Sequence, residues 1–146
     1  MINSFSGDNA FLSNFYELAV PITDPWDIKY PTVEHFFQAS KTLDISERNK
    51  IVKAKTPGAA KRLGRALDLR KDWDEVKLEY MRLGLMQKFY NNKDLAKKLI
   101  DTGGEFLVEG NTWDDTFWGV CNGKGRNNLG HLLMIVRDIL IKEQSK

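Results

Sequence analysis

Sulfur, imidazole and one-sided charge are all scarce in this sequence. Its only cysteine, Cys121, excludes an internal disulfide, and two histidines far apart, His35 and His131, suit no usual zinc spacing, so no metal is expected. Cys121 also has no indicated histidine partner, and no G-x-S-x-G elbow occurs, which leaves a nucleophilic triad without support. Lys and Arg number 22 against 20 Asp and Glu, a net charge of +2 that is far from the basic footprint of a dedicated DNA binder. Nucleic acid is therefore allowed as a substrate and not demanded. No apolar run approaches the roughly 20 residues that span a bilayer, and neither a signal peptide nor a lipidation motif is seen, so a cytoplasmic location without membrane association is expected.

Repeats, low-complexity stretches and Ser/Gly/Pro linkers are missing too, and 146 residues at 42% hydrophobic content suit one core, so a single domain over 1–146 is expected. What is present reads mostly as helix. Ala19 to Ile22 and Ile28 to Tyr30 suggest two short strands round a proline turn. Thr32 caps a helix running to about Leu43, Ser46 caps a short one through Ala54, and Thr56-Pro57 opens a third leading through Ala60, Leu63 and Leu67. Asp72 with Glu75 reads as a capping box for a longer helix to Tyr90, with Val76, Leu78, Met81, Leu85 and Phe89 facing inward and Asn91-Asn92 ending it. Leu95, Leu99 and Ile100 mark a short helix stopped by Gly103-Gly104, and Phe106 to Val108 suggests a lone strand. The last helix carries Leu129, Leu132, Leu133, Val136, Ile139 and Leu140 on one face. The expected class is mainly α-helical with a few short β-strands.

Three polar groupings stand out. Glu34, Gln38 and Lys41, at i, i+4 and i+7, place a carboxylate, an amide and an amine along one helical stripe, which taken alone reads as a solvated face. Glu109 to Gly119 packs three acids and two tryptophans, Trp113 and Trp118, into a segment without regular period. Such a loop is either tucked under the fold or lines a pocket, because an ordered indole wants apolar cover and a partner for its N–H. Gly123 to Asn128 precedes the last helix, where free backbone N–H groups and the helix dipole would suit a phosphate, although the glycine spacing is not that of a Walker A loop.

Together these pieces resemble the NADAR (YbiA-like) family, in order, from about Phe5 to Leu140. The matching residues include Leu12-Ser13-Asn14-Phe15, Tyr30, Glu34 to Ala39 with Lys41, Ala60 with Gly64-Arg65, Trp73, Met81, Lys88-Phe89, Thr102-Gly103, Glu109, Asp115 with Trp118-Gly119, Gly125, Asn127, Leu129-Gly130, Met134 and Arg137. Cys121 departs from a usual glycine, and Asn111-Thr112-Trp113 is more aromatic than is common there. The resemblance implies an N-glycosidase acting on ribosyl compounds without a cofactor. Its substrate is expected to be a phosphorylated ribosylamino-pyrimidine of riboflavin synthesis, or ADP-ribose on guanine of DNA or RNA.

Cleaving ribose C1′ from nitrogen passes through an oxocarbenium-like state, which needs a carboxylate to balance charge and an acid to protonate the departing amine. Glu34 and Asp115 are the expected pair, meeting across one cavity with an indole wall, their roles exchangeable; Lys41 either forms a Schiff base with C1′ or merely neutralises Glu34 or binds phosphate. Expected substrate contacts are Asn14, Phe15, Gln38, Arg65, Trp73, Glu109, Trp118, Lys124 and Asn127, with Trp118 the preferred stacking partner and Trp73 the one most suited to the core. The competing readings are a module that binds ADP-ribose or a nucleotide without turning it over, and a purely structural helical adaptor.

Overall fold

The computed structural model describes all residues, 1–146. The mainly helical expectation holds: six α-helices, one 3-10 helix and a two-stranded sheet make up the regular structure. The chain divides into two units, one formed by Asn14–Asn92 and the other by Met1–Ser13 with Lys93–Lys146. No helix is long and apolar enough to cross a membrane.

In the Asn14–Asn92 unit, β1 (Ile22–Thr23) pairs antiparallel with β2 (Lys29–Tyr30), shorter than the sequence suggests because the turn residue Asp24 takes over the hydrogen bonding. Asp24 Oδ1 accepts from the N–H groups of Trp26 (2.9 Å) and Ile28 (3.0 Å), while Oδ2 accepts from Tyr30 Oη (2.7 Å) and Arg48 Nη1 (3.0 Å). Burial pushes the Asp24 carboxyl up, but these donors, the Tyr30 hydroxyl foremost, outweigh it and hold the group below the usual range. Burial, with the Asp24 charge, raises Tyr30.

Helix α1 (Val33–Ala39) is capped by Thr32, whose Oγ1 accepts from His35 N at 3.0 Å. It stops at Ala39, well short of Leu43, and Ser40 Oγ turns back to Phe36 O at 2.7 Å. Helix α2 (Ile45–Val52) is capped by Asp44 and not by Ser46: the Asp44 carboxylate accepts from the N–H groups of Ser46 and Glu47. Helix α3 (Pro57–Arg65) starts as expected on Thr56 and Pro57, but Leu63 is exposed and the buried face consists of Ala60 and Gly64, small residues that admit α1 closely. Helix α4 (Trp73–Asn91) has no capping box at Asp72, because Arg70 takes both carboxylate oxygens at 2.6 and 3.1 Å. Met81, Leu85 and Phe89 are buried as expected, whereas Leu78 is exposed. Helix α1 packs against α2, α3, α4 and β2, so all seven of its residues are covered.

The other unit has a 3-10 helix (Gly7–Leu12), α5 (Lys93–Asp101) and α6 (Asn128–Gln144). Its core gathers Phe5, Phe11, Leu12, Leu95, Leu99, Leu107, Leu129, Leu133 and Val136. The expected lone strand is a parallel bridge of Leu107 with Ile2. Gly103, at φ 61°, ends α5 in the left-handed region, and buried Arg137 closes that turn by donating to Thr102 Oγ1 (2.9 Å) and Glu105 O (2.8 Å).

Candidate active site

A short helix buried on every side should carry apolar residues, yet α1 buries Glu34, His35 and Gln38. That overturns the solvated-face reading of the stripe. His35 is accounted for by structure: its Nδ1 meets Thr32 Oγ1 at 2.7 Å and its Nε2 meets Ala54 O at 3.0 Å, and burial holds it below its usual pKa. Glu34 lies in the first turn, its backbone N–H on Asn14 O at 3.1 Å, and its Oε1 accepts from Gln38 Nε2 at 2.8 Å. Lys41 follows just after the helix end, half-buried, with Nζ 6.0 Å from the centroid of the Phe37 ring. Burial lowers the pKa of its amine; the Glu34 charge opposes that shift, and Arg65 and Lys61 of α3 add to it. The expected carboxylate, amide and amine thus stand together, and α3 adds two cations.

Other expected contacts of this unit are placed as follows. Asn14 Nδ2 reaches Met81 Sδ at 3.5 Å, and its Oδ1 is buried without a hydrogen-bond partner. Phe15 is 45% exposed. Trp73 is buried, its ring 5.1 Å from Phe37 and 6.4 Å from Tyr80 between centroids, as part of an aromatic core. An open groove of about 390 Å³ lined by Thr42, Leu43, Asp68, Arg70, Lys71 and Asp72 includes none of the expected site residues.

In the other unit, the acidic loop is held by two side chains. Asn111 Oδ1 accepts from Asp115 N (3.0 Å) and its Nδ2 donates to Asp115 O (2.9 Å). Asp115 Oδ1 in turn accepts from the N–H groups of Phe117 (3.2 Å) and Trp118 (2.9 Å), so one oxygen of this carboxylate shapes the turn that presents Trp118. Trp118 is half-buried and meets Phe117 edge to face at 4.8 Å; Trp113 is 60% exposed, neither tucked away nor enclosed. Half-buried Glu109 donates its N–H to Asn127 Oδ1 (2.9 Å), and buried Asn127 donates Nδ2 to Leu107 O (2.9 Å), which commits both ends of that amide to the fold.

Before α6, three N–H groups of the expected phosphate cradle are already engaged. The N–H groups of Asn127, Asn128 and Leu129 go to the carbonyls of Gly119, Phe117 and Trp118, and Lys124 lies exposed in a tight turn on Cys121. No group of three or more His, Cys, Asp or Glu side chains converges to hold a metal ion.

Three residues carry no assigned role in the sequence reading, although Gly64 and Lys88 stand among those that match the family. Lys61 sits one helical turn before Arg65, a spacing visible on α3 once Thr56-Pro57 fixes its start. Gly64 matters for what it lacks: a Cβ there would overlap Gln38 Oε1 and stand 2.7 Å from Gln38 Cδ. Lys88 is wholly buried on α4, 5.8 Å from the Tyr16 ring centroid, and burial lowers its pKa to about 7. Nothing in the local pattern marks it.

The model of the NADAR domain matches residues 3–141. N-glycosidase YbiA of Escherichia coli (strain K12) is 40% identical over 144 residues, covering 90% of this chain and 89% of that protein. A riboflavin biosynthesis protein of Vibrio vulnificus (strain YJ016) is 36% identical over 136 residues, which are 91% of this chain and 36% of the larger protein. The NMR structure of the E. coli protein YbiA superposes with a TM-score of 0.84 at 37% identity, over 100% of this chain and 90% of that one.

Proposed function

Since the chain belongs to the NADAR domain family and is an N-glycosidase, we propose that it hydrolyses the bond between ribose C1′ and an amine nitrogen, with Glu34, Lys41 and Asp115 as catalytic residues. The observation that carries this reading is the buried Glu34 carboxylate, bonded by Gln38 and set beside an amine whose proton is loosened by burial. A hydrolase of this kind needs a carboxylate kept from bulk water and a base or nucleophile titrating below an ordinary lysine. Both sit within the stretch from Glu34 to Lys41.

The reaction uses these groups in order. A glycosylamine opens its ribose ring to an imine, and the neutral Lys41 Nζ lone pair attacks C1′. The C1′–N bond breaks, and the amine departs with a proton delivered from a site acid. Water then adds to C1′ and gives one proton to Glu34; the carbinol hydroxyl proton passes to the Lys41 nitrogen as its bond to C1′ breaks, the aldehyde closes as ribose phosphate or ADP-ribose, and Glu34 returns its proton to the site acid. The role proposed for Asp115 is to stabilise the ribose hydroxyls or the developing cation. Arg65 supplies a cation for a phosphate near Lys41, and Trp118 supplies a face for a flat base. The substrate is a ribosyl compound, either the free ribosylamino-pyrimidine phosphate or ADP-ribose on guanine.

The test offers the purified chain both ribosylamino-pyrimidine phosphate and a guanine-ADP-ribosylated oligonucleotide, with mass spectrometry of the products. Release of ribose phosphate or of ADP-ribose supports the reading and names the substrate. Ligand-induced stabilisation with no release from either compound makes the chain a binding module instead.

A further inference from the structure

We propose that Gln38 is a positioning residue that holds Glu34 as an ionised proton acceptor, and that Gly64 is the seat that keeps the Gln38 amide aimed at it. The inference rests on the reading of Glu34 as a catalytic group and assigns that group its half of the proton transfer.

The Gln38 amide is used at one end only. Its Nε2 donates to Glu34 Oε1 at 2.8 Å, while its Oε1 is buried with no hydrogen-bond partner. A buried acceptor left unsatisfied costs stability, and a helix packed on all sides has many apolar side chains that would fill the space without that cost. The amide is retained in this pose because its other end serves Glu34. An amide N–H donates more strongly to a charged carboxylate oxygen than to the carbonyl oxygen of a neutral carboxyl. The bond therefore favours the charged carboxylate and points Glu34 towards accepting a proton.

Gly64 completes the device from the neighbouring helix. With no side chain there, the α3 backbone lets the unsatisfied Gln38 carbonyl lie directly against it; a methyl group at that position overlaps the carbonyl oxygen. The displaced amide swings its N–H away from Glu34; Gly64 lies 26 residues after Gln38, so no local pattern reveals the contact.

Charged and titratable groups face α1 from several of the elements packed against it. Lys41, after the helix end, is felt by Glu34 and by Lys61 and Arg65 of α3. On α2, Arg48 binds Asp24; on β2, the Tyr30 hydroxyl binds the same carboxylate; on α4, Lys88 lies near Tyr16 and Phe89. His35, on α1 itself, is bonded to Thr32 and Ala54. Gln38 Nε2 donates to Glu34 Oε1 at 2.8 Å from one turn further along the same helix.

The test compares Gln38→Met, Gly64→Ala, Gln38→Ala and the Gln38→Ala/Gly64→Ala pair with the unmodified chain. Two readouts are needed: the Glu34 titration followed by carbon-13 NMR of labelled glutamate carboxyls, and kcat and KM on ribosylamino-pyrimidine phosphate across pH. Expected for Gln38→Met are a melting temperature unchanged or raised, a Glu34 midpoint moved to higher pH, and a kcat lowered about tenfold or more with KM within about threefold. Gly64→Ala moves the midpoint the same way, and adds nothing in the Gln38→Ala background, where no amide remains to displace. A Glu34 midpoint unmoved in Gln38→Met overturns the inference while leaving the catalytic reading of Glu34 standing. A moved midpoint with turnover untouched overturns both. A KM raised about tenfold with kcat intact makes Gln38 a substrate contact and also overturns it.

Discussion

Lys88→Met isolates the energetic effect of a buried amine. The Lys88 pKa is lowered to about 7 by burial, against about 10.4 for an unfolded lysine. The sign follows from proton counts: between these values the unfolded chain binds the extra proton and the folded chain does not, so stability rises with pH across the window and levels off below it. Between pH 7.5 and 9.5 the Lys88 contribution changes by about 2.5 kcal/mol, at about 1.4 kcal/mol for each fully effective pH unit. Urea unfolding of both proteins at several pH values in that range gives the difference directly, since every other titrating group cancels between them. Tyr30, whose pKa is raised, contributes in the opposite sense only above about pH 10, outside the range used. The unmodified chain should gain about 2.5 kcal/mol on Lys88→Met between the two ends of the range. A difference that stays flat would mean that Lys88 keeps an ordinary proton affinity in the fold.

Three further outcomes are expected. Asp24→Asn leaves Arg48 buried without its charge partner and should cost about 3 to 5 kcal/mol in urea unfolding; a loss under about 1 kcal/mol would show the pair to be dispensable. Sodium borohydride added during turnover should fix ribose phosphate to Lys41, seen as a mass increase on its peptide, and an unlabelled Lys41 under full turnover excludes the covalent route. Asp115→Asn keeps an oxygen for the N–H groups of Phe117 and Trp118, whereas Asp115→Ala removes it. Stability should therefore fall by about 1 kcal/mol only in the alanine variant, and kcat should fall in both; a normal kcat in Asp115→Asn restricts Asp115 to shaping the loop.

What the sequence disclosed and what it concealed divide by distance along the chain. Thr32 and Thr56 are legible as caps because a cap answers to N–H groups two or three residues away. Asp72 reads equally well as a cap, but Arg70 offers its carboxylate two charged donors and wins. Leu63 and Leu78 match the helical period and still face solvent, since the partners that would cover them are decided by tertiary packing. The Glu34, Gln38 and Lys41 stripe was readable from spacing; its burial was not, because that depends on α2, α3 and α4 all closing on one short helix. The contact of Gln38 with Gly64 and the Asp24 to Arg48 bond join distant segments and leave no periodic trace.

The central claim is that the Glu34 carboxylate carries turnover, and Glu34→Gln tests it most directly because the amide keeps the shape and loses the base. With ribosylamino-pyrimidine phosphate as substrate, kcat should fall by about a hundredfold or more while calorimetry shows the compound still bound. A Glu34→Gln chain that binds the compound and releases ribose phosphate at the unmodified rate contradicts the account.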